Sequence, residues 1–400
     1  MNEFKSTKDR RSFLKLLGLS SLPVFMPGAE IAAATTATSP DPAEEIPFVN
    51  FVSDGLYFSP SEYIQKLDQI HKATPIKGDR YGNGGTTKEL EEAFAKLTGK
   101  EKAIFFPTGT MANQVVIKIL NGENTKIIVP ENSHIYRDEA DAAQSVHGKR
   151  LVPAGQGNPY FTLKELKETI AYHDSGEVFK SGLGTVVIES PVRRADGAAV
   201  PLEVMKEITS HCREKGYKTH LDGARIHIAS AYTGVSIATY AAQFDTIYIS
   251  LYKYLNASGG AMLCGPAEVI DKMSHQIKIF GGTVYQTWGA SSMALHYLNG
   301  IEERWKQVTQ VAAQLIAGLN KIKGISIAPI EHGTNIYNLK ADSGIDLKKV
   351  GNVLYPDHNI GIGGVNEEGV IKFQVNESLL LRKPEDLLAA WKKSIEKVRA

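Results

Sequence analysis

Residues 220–230, HLDGARIHIAS, close one strand-length apolar run, KTHLD (218–222), and open a helical one, with Asp222 and Arg225 three residues apart across a glycine and an alanine. A strand that stops on an acid and turns at once into a helix is the local signature of a βα unit. In open α/β sheets a ligand binds where the carboxyl ends of such strands meet. The same alternation extends to both sides of this stretch, from residue 86 onward. KAIFFP, KIIVP, GTVVIES, DTIYIS and GGAMLCG are strand-length apolar runs, interleaved with helical stretches such as PLEVMKEITSHCREKG (201–216). In TTKELEEAFAKLTGK (86–100), Leu90, Phe94 and Leu97 recur at helical spacing and Gly99 supplies the stop. The pattern predicts a doubly wound α/β lobe with a mostly parallel sheet. Beyond residue 280 it changes to long helix, short strands and a last helix, PEDLLAAWKKSIEKV, which predicts a smaller α+β C-terminal lobe that starts within a long helix near residue 300.

Chemistry is therefore sought just after each strand. FFPTGTMANQ follows one strand and opens a helix, so that Gly109 and Thr110 offer free backbone N–H groups and a hydroxyl at a positive helix end; this suits a phosphate dianion, and equally an ordinary turn and cap. Asp222 at the end of KTHLD is either a helix cap or an acid aimed at a ligand. Lys253, after DTIYIS and before the Gly-rich return NASGGAMLCG, is either a solvated lysine or a partly desolvated amine able to form a Schiff base. A phosphate cradle, an acid and a later lysine together are the parts of a pyridoxal phosphate site, with the acid keeping the pyridine nitrogen protonated.

The chain as a whole restricts the alternatives. Its 400 residues and 42% hydrophobic content are enough for two lobes with a sizeable core. With 45 basic and 44 acidic residues, nothing in the bulk charge points to nucleic acid or an anionic membrane. Two cysteines, Cys212 and Cys264, make no disulfide framework and read as buried small hydrophobes. No metal-ligand spacing stands out. The N-terminus differs from the rest: KDRRSFLKLLGLSSLPVFM sets Arg10-Arg11 before a short apolar run that leads to Ala32-Ala33-Ala34, a run too short and too interrupted for a membrane span. It reads as a signal peptide over residues 1–34, of the twin-arginine type that carries folded proteins, which predicts an exported, periplasmic protein with no stable membrane span after signal removal; a chance Arg-Arg before a Sec-type signal or a retained anchor is the alternative. TTATSPDPAEEIP then reads as a linker over 35–47. The expected organisation is completed by a large domain over 48–300 and a small one over 301–400.

RYGNGGTTKELE, FFPTGTMAN, SHIYRDEADAA, HLDGAR and the interval from Asp222 to Lys253 occur in an order that resembles the threonine aldolase and β-eliminating lyase family of fold-type I pyridoxal phosphate enzymes, from about Phe51 to the last helix. The resemblance implies that Lys253 carries the cofactor as a Schiff base, that Asp222 faces the pyridine nitrogen, and that Gly109 and Thr110 hold the phosphate. It also implies that His134 stacks on the ring, and that Arg225, with Ser53, binds the α-carboxylate of a small amino acid. It implies a homodimer or homotetramer with contacts near Tyr285. Taken without the resemblance, His134 reads as a packed or surface histidine.

The sequence also departs from the family pattern. Glu189-Ser190-Pro191-Val192 stands where Glu-Asn-Thr-His is expected, and Tyr285 of GGTVYQ where an arginine is expected. Lys372 stands where the second carboxylate arginine is expected, Asn376 where a histidine is common, and Tyr252 in place of the serine before Lys253. Lysine lacks the two-pronged grip of arginine on a carboxylate. Arg193-Arg194 is either a replacement charge or a solvated turn. The expected activity is a pyridoxal phosphate-dependent lyase, cleaving a β-hydroxyamino acid to glycine and an aldehyde or eliminating a β-substituent. A racemase or aminotransferase is the alternative among enzymes, and a non-catalytic cofactor-binding homologue the alternative of another class.

Overall fold

The computed structural model describes residues 46–399, so the expected signal peptide and most of the linker lie outside the described residues. After β1 (Val49–Asn50), the chain builds a seven-stranded sheet from β2 (Lys102–Phe106), β3 (Lys126–Pro130), β4 (Arg150–Ala154), β5 (Leu183–Glu189), β6 (Lys218–Asp222), β7 (Thr246–Ser250) and β8 (Ala261–Gly265). Their order across the sheet is β2-β8-β7-β6-β5-β3-β4. The pairs from β7 through β4 are parallel, whereas β8 runs antiparallel to both of its neighbours. The mostly parallel α/β sheet is thus present as the sequence predicts. β4 and the reversal of β8 are additions: RLVPA carries a proline and an exposed residue, which masks its strand pattern, and strand direction leaves no mark in periodicity.

Strands β3, β5, β7 and β8 are buried on both faces or nearly so, as expected of a sheet covered by helices on either side. The helices Gly85–Thr98 and Leu202–Lys215 fall within a residue or two of the predicted spans, each closed by a left-handed glycine, Gly99 and Gly216. The long helix expected to run through residue 300 is instead two helices, Trp288–Leu298 and Ile301–Leu319, broken where Gly300 adopts φ 69°.

Beyond that break, β9 (Ile325–Pro329) and β10 (Ile336–Ala341) pair antiparallel, β11 (Ile360–Gly361) pairs with β1, and β12 (Ile371–Gln374) pairs with β10. The first described strand therefore rests on the last part of the chain. Phe51 N–H donates to Gly361 O, Gln374 N–H donates to Phe51 O, and the Phe51 ring stacks on Phe373 at 4.0 Å with Trp391 edge-on to both. This aromatic cluster, wholly shielded from solvent, fixes the chain just ahead of Ser53 and Asp54. Both cysteines are buried and free, as expected, and burial pushes each thiol up to about 12. Among the described residues, no helix is long and apolar enough to cross a membrane.

Candidate active site

The strand order reverses direction between β3 and β5, and the carboxyl ends of the parallel strands converge there on a cavity of about 520 Å³. Each strand delivers one wall. After β2, Thr108 caps the helix Gly109–Asn121, its hydroxyl accepting from Met111 N–H at 3.2 Å, so the first N–H groups of that helix, at Gly109 and Thr110, lie at the cavity with no intrahelical partner. Glycine is required at 109 because a Cβ there would come within 2.0 Å of the Tyr248 hydroxyl, and Tyr248 is buried in β7. His134 follows β3, Glu189 ends β5, Asp222 ends β6 and Lys253 follows β7; all four line the cavity together with Arg225 and Tyr252.

Lys253 is 7% exposed, and burial, with the Arg225 charge adding to it, brings its amine down to about 8 despite the opposing pull of Asp222, Asp54 and Glu189. Its ammonium lies 5.5 Å from the Tyr252 ring centroid. Asp222 is 2% exposed and is oriented by two donors, Asn113 Nδ2 at 3.0 Å and Ala224 N–H at 3.2 Å. His134 is held at both ends. Its backbone N–H donates to Glu189 Oε2 at 2.5 Å, and its ring Nδ1 lies 3.0 Å from Glu139 Oε1. The Glu139 hydrogen bond outweighs burial and raises the imidazole pKa above its ordinary value. Burial, with Asp222 alongside, pushes the Glu189 carboxyl up to about 7, although the N–H groups of Arg193 and His134 both donate to it.

Arg225 lines the cavity, but its Nε and Nη2 donate to the two oxygens of Asp54 at 2.9 and 2.8 Å, leaving the Nη1 side of the guanidinium for any second carboxylate. Asp54 also accepts from Tyr254 Oη at 3.1 Å and Gln374 Nε2 at 2.9 Å. Burial alone would raise the Asp54 carboxyl; Arg225, with Lys253 and Tyr254, overcomes this and holds it below the ordinary carboxylate range. Ser53, expected beside the substrate, turns its hydroxyl to Asn50 Oδ1 at 2.6 Å. Lys372 is not brought to the cavity wall: its ammonium donates to Asp196 at 2.7 Å and Asn338 at 2.9 Å. Arg193 and Arg194 both pair with Asp138 and remain half exposed, outside the lining. Asn376 donates to Asn50 O, Asn50 Oδ1 and Ser53 O, which fixes the segment that carries Ser53 and Asp54.

Several residues escaped the sequence reading. Asp54 adjoins Ser53, Glu139 lies five residues beyond His134, and Asn113 closes the motif that begins at the phosphate turn; each lay inside or beside a quoted motif, with no pattern of its own to single it out. One donor atom each from His134, Glu139 and Asp222 lies within 4.8 Å of the others, a spacing a cation could use. The Asn113 amide, however, donates to both carboxylates at 2.9 and 3.0 Å, so a hydrogen-bond donor already bridges them.

These residues fit pyridoxal phosphate: a helix N-terminus for the dianion, a desolvated amine for the aldehyde, a buried carboxylate for a pyridinium and an imidazole beside it. The comparisons with known proteins agree. The chain is 31% identical to the low-specificity L-threonine aldolase of Candida albicans over 55% of its own length and 58% of the relative's, and 31% identical to that of Saccharomyces cerevisiae over 65% and 67%. The match thus spans roughly three fifths to two thirds of these relatives. The crystal structure of a candidate aromatic amino acid beta-eliminating lyase/threonine aldolase from Exiguobacterium sp. 255-15 superposes with a TM-score of 0.73, at 24% identity, over 88% of this chain and 97% of that one. Structures with this fold include ones that hold pyridoxal phosphate. The beta-eliminating lyase family profile matches residues 67–342, and the chain belongs to that family, with the fold-type I architecture of pyridoxal phosphate enzymes.

Proposed function

We propose that the protein is a pyridoxal phosphate-dependent lyase that cleaves a small β-hydroxy-α-amino acid to glycine and an aldehyde. The observation that carries this reading is the single cavity in which the depressed amine of Lys253, the buried Asp222, Arg225, His134 and the Gly109–Thr110 helix start meet. Bound pyridoxal phosphate supplies the electron sink for the pair left on Cα when the Cα–Cβ bond breaks. The residues do the rest. Lys253 binds the cofactor aldehyde, Gly109 and Thr110 hold its phosphate, and Asp222 keeps a proton on the ring nitrogen. Arg225 takes the substrate carboxylate on the side not committed to Asp54; Ser53 and Lys372 join it only by leaving Asn50 and Asp196. His134, bonded through Nδ1 to Glu139, presents Nε2 to the β-hydroxyl and accepts its proton as the C–C bond breaks. β-Elimination from the same site keeps the Cα–Cβ bond and breaks Cα–H instead, the proton going to a base and the β-substituent leaving with its bonding pair.

We also propose export by the twin-arginine route and assembly into a homodimer or homotetramer. The export reading rests on Arg10-Arg11 ahead of SFLKLLGL. Assembly is supported by the half-exposed ring pair of Tyr81 and Tyr285, with centroids 5.2 Å apart, beside a second cavity of about 660 Å³ that also reaches Val284.

The test is turnover of L-threonine, L-allo-threonine, serine and alanine, following aldehyde, pyruvate and chirality separately. Lys253→Ala is expected to lose both aldehyde formation and the visible absorbance of the cofactor-loaded protein. A wild-type protein that stays colourless after incubation with pyridoxal phosphate overturns the site; pyruvate or racemised product without aldehyde overturns the retro-aldol reading alone.

A further inference from the structure

Behind Asp222 and His134 runs a line of fully buried polar side chains to which the proposed chemistry gives no part. Asn113, in the second turn of the Gly109–Asn121 helix, is wholly shielded from solvent, as are His220 and Thr246. Asn113 Nδ2 donates to Glu139 Oε1 at 2.9 Å and to Asp222 Oδ2 at 3.0 Å. Its Oδ1 is 3.0 Å from His220 Nε2, and His220 Nδ1 is 2.8 Å from Thr246 Oγ1. His220 and Asp222 are two apart on β6 and so share one face of the sheet, and Thr246 is the registered partner of His220 on β7.

The protons of this line are determined by its ends. Glu139 Oε1 and Asp222 Oδ2 both lie at the nitrogen end of the amide and accept from it, so Nδ2 uses one hydrogen for each. Oδ1 must then accept, so His220 carries its proton on Nε2 and takes the Thr246 hydroxyl hydrogen on Nδ1. Full burial keeps that imidazole neutral, in keeping with a pKa drawn down to about 4. A neutral ring with one donor and one acceptor satisfies both neighbours, and turning Asn113 over is disfavoured because it would place the amide carbonyl oxygen against two carboxylates.

We infer that Asn113 is a positioning residue whose single amide, oriented by His220, fixes both the acid that faces the cofactor ring nitrogen and, through Glu139, the imidazole beside the ring. The inference rests on the pyridoxal phosphate reading of the cavity. One side chain thereby couples two contacts to the cofactor that arise from different strands, β6 and β3. Losing it leaves Asp222 held by Ala224 N–H alone and removes the donor that the two carboxylates share.

The test uses cofactor-loaded protein. Asn113→Leu keeps the branched shape and removes the donors. It is expected to displace the pH midpoint of the visible absorbance band by about half a unit or more. It should also lower kcat about tenfold with little change in KM, the loss expected when one charge-assisted hydrogen bond is used mainly in the transition state. A purely packing role for Asn113 lowers the melting temperature and leaves the absorbance midpoint where it was, and that result overturns the inference. If Asn113→Leu does not fold, the His220 pair decides. His220→Leu removes the group that orients the amide and should displace the midpoint, whereas His220→Gln retains a donor and should restore it; equal midpoints for the two overturn the inference. A wild-type protein with no visible band refutes the cofactor reading instead, which separates the two failures.

Discussion

Lys253 is a buried base whose charge the fold disfavours, and this has a measurable consequence in the protein without cofactor. Its amine is drawn down to about 8 from an ordinary 10.5. Between those values the unfolded chain binds the proton more tightly than the folded one, so stability rises with pH across that window; below about 8 both states are protonated and the penalty is complete. Lys253→Met lacks the group, so its urea midpoint is expected to exceed that of the wild type at pH 7.5, with the gap closing as pH approaches 10.5. A gap that does not change with pH would show that the amine is not desolvated. At this scale a place on the cavity wall was legible where a residue follows a strand and stands in a family motif, as for Asp222, Lys253, His134 and the Gly109-Thr110 turn. A role was not legible where it depends on a partner far along the chain. The pairing of Asp54 with Arg225, and the three-way bonding of Asn113, join residues separated by 171 positions in the first case and by 26, 109 and 107 in the second.

The helix that starts at Gly109 and the strand β7 meet at the phosphate turn, and their approach sets a constraint that helix propensity opposes. Alanine is preferred to glycine in a helix by about 1 kcal/mol. Yet a Cβ at 109 would overlap the Tyr248 hydroxyl and Cζ, at 2.0 and 2.4 Å, so one of the two elements must move. Gly109→Ala is therefore expected to weaken cofactor retention about tenfold or more, since the displaced N–H groups are those offered to the phosphate. Equilibrium dialysis of pyridoxal phosphate against both proteins measures this, and unchanged affinity would show that the turn tolerates a side chain. Element boundaries were read well where a capping signal was present, as at Gly99 and Gly216. They were misread where the signal was a single glycine inside a continuous apolar pattern: Gly300 divides one apparent helix into two because the pattern on either side has helical period and nothing in periodicity records a change of axis.

At the scale of the whole molecule, the N-terminal signal and the assembly state are the open proposals. Changing Arg10 and Arg11 together to Lys keeps the charge ahead of the apolar run, so the expected outcome is precursor retained in the cytoplasm with cofactor bound; processing at the wild-type rate would sink the twin-arginine reading. Light scattering of the active protein is expected to give the mass of a dimer or tetramer of the 43.7 kDa chain, and a fully active monomer would remove the role given to the Tyr81 and Tyr285 surface. The fold class was legible from the alternation of strand and helix alone. The reversed strand β8 was not, and it determines when the site can exist. The edge strand β2 has no partner in the large sheet except β8, which lies some 160 residues further along the chain, and the segment before Ser53 has β11 and β12 as its partners. During synthesis the phosphate turn therefore has no sheet edge to join until residue 265 has been made, and Asp54 has no wall behind it until residue 374 has been made. Closing loops of that length is slow, so the newly made chain passes through an interval with its phosphate turn unseated, and a ribosome stalled before residue 265 should hold a nascent chain that retains no cofactor and is colourless.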